Sequence, residues 1–83
     1  MHRLKNVSQK VIGFKQTFKA IERGQALVVY VARDGAEKIR LPLLEISAKQ
    51  EVPIVEVESM MDLGKACAIQ VGASAVAILK DIL

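Results

Sequence analysis

Apolar, largely β-branched runs alternate with helical segments along this chain, and that order predicts an α/β fold: a three-layer α/β/α sandwich with a small mixed central sheet. Two observations carry the expectation. Residues Ala26 to Ala32 (ALVVYVA) are uninterrupted apolar sequence bounded by Gly24 and by Asp34-Gly35, the pattern of a strand buried on both faces and therefore central in its sheet. Ile54 to Val57 (IVEV) form another strand and Ser74 to Leu79 (SAVAIL) complete the sheet, and the stretches between them have helical character.

Taken in order, Val7 to Lys10 read as the end of a first short helix, and Val11 with Ile12 as a brief strand. Lys15 to Arg23 follow as a helix in which Phe14, Phe18 and Ile21 recur at i, i+4 and i+7 as a buried stripe, and Gly24 stops it. Pro42 has no N–H to give, which a first helical turn tolerates, so the main helix is expected to start near Leu41. Leu43, Leu44, Ile46 and Ala48 form its buried side, Glu45, Lys49 and Gln50 point outward, and Pro53 blocks continuation. Ser59 followed by Asp62 is an N-cap pattern for a helix from Met60 to about Cys67, with one of Met60 and Met61 in the core and the other half exposed.

The 83 residues form one domain, 1–83, with a net charge of +3, so the surface is mildly basic and the placement of charge matters more than its sum. No apolar run approaches the roughly 20 residues of a membrane span, and the start MHRLKNVSQ lacks the apolar segment of a signal peptide. A cytoplasmic monomer with no membrane partner is expected. Cys67 is the only cysteine, which excludes an internal disulfide or a cysteine-based metal cage and suggests a buried thiol. His2, the only histidine, lies in the terminal segment. Asp34, Glu37, Asp62 and Asp81 fall at turns, helix starts or the terminus, so no acid–base pair, nucleophile or metal set emerges; neither enzymatic activity nor a cofactor is expected.

Two segments carry functional information. Lys15, Lys19 and Arg23 recur at i, i+4 and i+8 on one side of the first main helix. Like charges at that spacing repel, by a few tenths of a kcal/mol per pair, and an external anion relieves them. Gln16 stands near the helix start, where free N–H groups and the dipole already favour phosphate. A solvated cationic face and a nucleic-acid contact both fit this pattern. The second segment is AIQVGAS, Ala68 to Ser74, a connection that presents Ile69 and Val71 where loops usually carry polar residues. Either it tucks under the core or something apolar covers it.

The stretches GFKQTFKAIERG and LPLLEISAKQEVPIVEVESMMDLGKACAIQVGASAVAI, in this order, resemble the kink-turn-binding ribosomal protein family of archaea and eukaryotes, and most of all its small bacterial ribosome-associated paralogues. The motifs are T-x-K-A-x-E-R-G from Thr17 to Gly24, L-P-L-L from Leu41 to Leu44, L-G-K-A-C from Leu63 to Cys67 and V-G-A from Val71 to Ala73. The resemblance implies an α/β/α sandwich and an RNA partner containing a kink-turn, such as ribosomal RNA or a riboswitch. It implies an RNA-binding set of Gly13, Lys15, Gln16, Lys19, Arg23, Lys65, Ala68, Ile69, Gln70 and Val71, with the basic helix against G·A pairs and the loop against bulged nucleotides. Two positions depart from the archaeal and eukaryotic pattern. Lys15-Gln16 replaces Asn-Glu, as it tends to in the bacterial paralogues, and Ala68 stands where many relatives have Gly, which stores strain if that backbone takes a positive φ. The rival reading is a small protein-interaction module that uses the Ile69/Val71 loop and the basic helix to bind an acidic partner.

Overall fold

The structure, a computed structural model, describes residues 9–69 and 71–80. His2, Gln70, Asp81 and the Val7–Ser8 part of the expected first helix lie outside the described residues. The element order is β1 (Lys10–Ile12), α1 (Phe14–Glu22), β2 (Ala26–Ala32), α2 (Glu37–Gln50), β3 (Ile54–Val57), α3 (Met60–Ala66) and β4 (Ala75–Leu79). The strands form one mixed sheet in the order β1-β4-β2-β3, with β2 and β3 parallel and the other pairs antiparallel. As its sequence predicts, β2 is internal.

Side chains alternate across a strand, and here the alternation sorts the two faces. Ala75 and Ala77 of β4 join Val29 and Val31 of β2 in a core with Ala20 and Ile21 of α1 and Leu43 of α2. Val76 and Ile78, the alternate residues of β4, join Ala32 and Val57 in a second core with Leu63, Ala66 and Cys67 at the α3 end. Two helices thus cover one face and α3 the other, the three layers expected. Ile21, Leu43 and Leu63 are fully buried, each worth about 1.5–3 kcal/mol relative to exposure. Cys67 is a buried free thiol; burial raises its pKa and nearby Lys10 pulls it partly back.

Several boundaries differ from expectation. Val11 and Ile12 are in β1 as expected, but Lys10 also belongs to it, paired with Ile78, and is not the end of a helix; a polar residue drawn into a strand by its partner carries no strand pattern of its own. α2 begins at Glu37, so Pro42 lies inside it. The helix starts earlier because the Ala36 carbonyl already accepts from Ile39 and Arg40, each at 3.0 Å, and the tertiary packing of α2 tolerates the one bond that Pro42 forgoes. Ser47 is buried there and Ala48 is exposed: Ser47 follows Leu43 by four residues and shares its face, whereas Ala48 is turned a further 100°. The third helix stops at Ala66 with Cys67 as its cap, and β4 starts at Ala75. Met60 packs on the core and Met61 is exposed, the division expected.

A candidate nucleic-acid interface

α1 begins at Gly13, whose φ of 103° and ψ of 162° lie outside the range open to other residues, and it has neither a side-chain cap nor an acidic residue in its first turn. The Gly13 N–H donates to the Ala75 carbonyl at 2.8 Å and the Gly13 carbonyl accepts from Thr17 N at 3.0 Å. The first bond is decisive for the site, because it places the positive end of α1 against the residue where the Ala68–Ser74 connection enters β4. Spacing alone does not reveal that adjacency.

On α1 the fully buried residues are Thr17, Ala20 and Ile21, while Phe14 and Phe18 are only half-buried. The helix is therefore rotated from the stripe that hydropathy suggests. Lys15, Gln16 and Lys19 are exposed. Arg23 is exposed too, but it is the C-cap, outside the helix proper, roughly 15 Å along the axis from the Gly13 end. It extends the cationic row away from the loop and does not join it. Gly24, at φ 71°, ends α1 with bonds from Gly24 N to Ile21 O and from Gln25 N to Ala20 O, the paired bonds that satisfy terminal carbonyls.

The connection after α3 is built the same way. Ala68 takes φ 62°, Ala68 N bonds to Lys65 O and Ile69 N to Gly64 O, each at 3.0 Å. The left-handed turn sends the chain back across α3. A Cβ on Gly64 would overlap the Val71 carbonyl oxygen, Gly72 packs against Met60, and Ala73 N donates to Met60 O at 3.0 Å. The apolar pair divides here. Ile69 packs against the α3-side core, while Val71 is 67% exposed; one tucks in and the other is presented. Lys65, exposed in the last turn of α3, stands in the opposite layer from α1, so the candidate residues straddle the two faces of the sheet. Gln70 lies outside the described residues.

An alanine in the left-handed region costs about 1 kcal/mol against glycine. Ala68→Gly is therefore expected to raise stability by about 0.5–1 kcal/mol, net of chain entropy, in thermal melts. A lower melting temperature would mean that the turn is not strained.

One support of the loop is not visible in sequence. Asp34, in the turn after β2, accepts from Met60 N at 2.8 Å through Oδ1, while Ser59 Oγ accepts from Asp62 N at 3.1 Å. The Ser59 cap is legible from spacing, but the Asp34 cap comes from 26 residues away. Gly64 does leave a sequence signal: a glycine inside a helix costs about 1 kcal/mol and suggests a close approach by backbone. Among the described residues no group of three or more His, Cys, Asp or Glu could hold a metal ion, and no helix is long and apolar enough to cross a membrane.

The family described as "Ribosomal protein L7Ae/L30e/S12e/Gadd45 family" matches residues 2–81. An RNA-binding protein of Geobacillus sp. (strain WCH70) is 49% identical over 70 residues, covering 84% of this chain and 85% of that one. RNA-binding protein YbxF of Geobacillus stearothermophilus shows the same identity and coverage. The large ribosomal subunit protein eL8 of Halobacterium salinarum is 41% identical over 68 residues, 81% of this chain and 57% of its own. These relatives are RNA-binding and ribosomal proteins, not enzymes, and they agree with the non-enzymatic expectation. A solved structure of a Bacillus halodurans protein of unknown function superimposes with a TM-score of 0.85 at 20% identity, covering 95% of this chain and 79% of that one. It supports the fold alone.

Proposed function

We propose that this chain, which belongs to the ribosomal protein L7Ae/L30e/S12e/Gadd45 family, recognises and stabilises kink-turn motifs in structured RNA. The observation that carries the proposal is the Gly13–Ala75 hydrogen bond, which sets the uncapped start of a cationic helix against the residue where the connection that presents Val71 enters β4. Relatives of similar length that are named RNA-binding proteins support RNA as the partner.

The chemistry follows from what each RNA form exposes. The deep, narrow major groove of a regular RNA duplex excludes side chains, whereas a kinked junction opens base edges to a short helix. The Lys19 ammonium donates to guanine O6 and N7, the Gln16 amide donates and accepts at a neighbouring edge, and Lys15 and Arg23 hold phosphates. The uncapped N–H groups near Gly13 and the Lys65 ammonium add positive potential. Val71 covers an unstacked bulge base, while Ile69, anchored in the core, and Ala68 shape the loop around it; Gln70 lies between them in the sequence. No reaction step is involved. Contacts available only in the kinked form give differential affinity, and differential affinity shifts the RNA toward the kink. The protein acts as a monomer on ribosome-associated RNA in the cytoplasm.

Gel shifts of a kink-turn duplex and a straight control across a salt series test the proposal. Log affinity for the kinked RNA is expected to fall with log salt at a slope of about −2 to −4, from three to four phosphates, and the straight duplex is expected to bind more weakly at every salt. A flat response would favour a protein partner held by apolar contacts instead.

A further inference from the structure

The chain has two phenylalanines, and both lie on α1 with ring centroids 5.8 Å apart and planes at 42°. Phe14 and Phe18 pack against the core that holds Ile21 and Leu43, yet each is only half-buried. With Pro42 of α2 they line an open groove of about 460 Å³, bordered by Lys15, Lys19 and Glu22. Core packing alone explains the apolar character of these positions but not an aromatic pair open to solvent between two ammonium groups.

An aromatic floor beside cations is the combination that holds an unpaired nucleotide, with the base stacked on a ring and the phosphate paired with lysine. Lys15 supplies the phosphate contact, and Lys19, about 6 Å further along the helix axis, adds positive potential beside it. Glu22 limits the track. Past it the groove continues by Glu45 and Lys49, where two carboxylates outweigh one ammonium, so a polyanionic strand is favoured at the Lys15–Lys19 half. That half starts one residue from Gly13 and is continuous with the RNA surface proposed above.

We propose that the groove between α1 and α2 is a subsite for one unpaired nucleotide of a strand flanking the main RNA site, with its base on Phe14 and Phe18 and its phosphate at Lys15. The proposal rests on the RNA-binding reading and deepens it: a surface that otherwise recognises shape gains a single-strand contact.

Affinities of parent protein and the Phe14→Leu/Phe18→Leu variant for three RNAs test it: a blunt kink-turn duplex, the same duplex with a five-uridine tail, and the same duplex with an abasic tail. The uridine tail is expected to tighten binding to the parent about five- to tenfold, as one stacked base does, and the abasic tail less than about twofold. The variant, which keeps apolar volume over the core, should match the parent on the blunt duplex and gain nothing from the tail; Phe14→Leu alone serves if the double variant unfolds. An equal gain from the abasic tail, a gain retained by the variant, or no gain at all would overturn the subsite. So would ring-dependent binding of an acidic peptide with no tail effect, which assigns the groove to a protein. Should the blunt duplex not bind at all, the kink-turn reading fails, and the subsite is still decided by whether free pentauridine shifts the Phe14 and Phe18 ring resonances.

Discussion

Gly64→Ala is expected to weaken RNA binding tenfold or more and to lower the melting temperature, although the substituted residue bears no functional group. The added Cβ would overlap the Val71 carbonyl oxygen and come within 3.1 Å of Val71 C and 3.3 Å of Gly72 Cα. All three are backbone atoms, so no rotamer change relieves the clash. Separation of the loop from α3 strains the Ile69–Gly64 and Ala73–Met60 hydrogen bonds and moves Val71, the residue proposed to cover the bulge. Two effects oppose each other in stability. Alanine favours the helix by about 1 kcal/mol over glycine, while overpacking of this kind costs about 1–3 kcal/mol. Because the collision is with backbone on a loop held at both ends, the second should win, at about 4–8 °C of melting temperature per kcal/mol for a domain of this size. A variant that melts higher than the parent and binds RNA equally well would show that the Val71–Gly72 position does not matter.

Lys19→Ala should cost about 1–3 kcal/mol of affinity for a kink-turn, the range for losing a base-edge contact, and Lys15→Ala should cost less because solvent and ions readily replace a phosphate contact. Both side chains are exposed, and neither supports the core, so circular dichroism should be unchanged. Titration of the two variants against one RNA at fixed salt separates the roles. Greater damage from Lys15→Ala with both proteins folded would reverse the assignment.

The β-branched runs make β2 and β3 legible to the residue, and β4 to within one: the internal strands β2 and β4 are apolar throughout, and the edge strand β3 is marked off by Pro53 and by its β-branched residues. For β1 the same pattern finds Val11 and Ile12 but not Lys10, which is ordered by pairing with β4. It fails for the start of α2, where tertiary packing accepts an internal Pro42. At the candidate site, the cationic row and the apolar loop are both visible in sequence. Their adjacency is not, since it depends on one backbone bond between residues 13 and 75, and backbone bonds carry no side-chain signature. The split between a partly buried Ile69 and a presented Val71 likewise depends on the left-handed Ala68, a conformation that an alanine does not advertise.

The central claim is that this protein binds RNA by stabilising a bend, and fluorescence transfer between dyes on the two arms of a kink-turn duplex measures it directly. In low-magnesium buffer, where the free RNA is extended, addition of protein should raise transfer in step with binding, and a straight control should show no rise. Binding of the kink-turn RNA, proven by gel shift on the same samples, with no change in transfer would contradict the account.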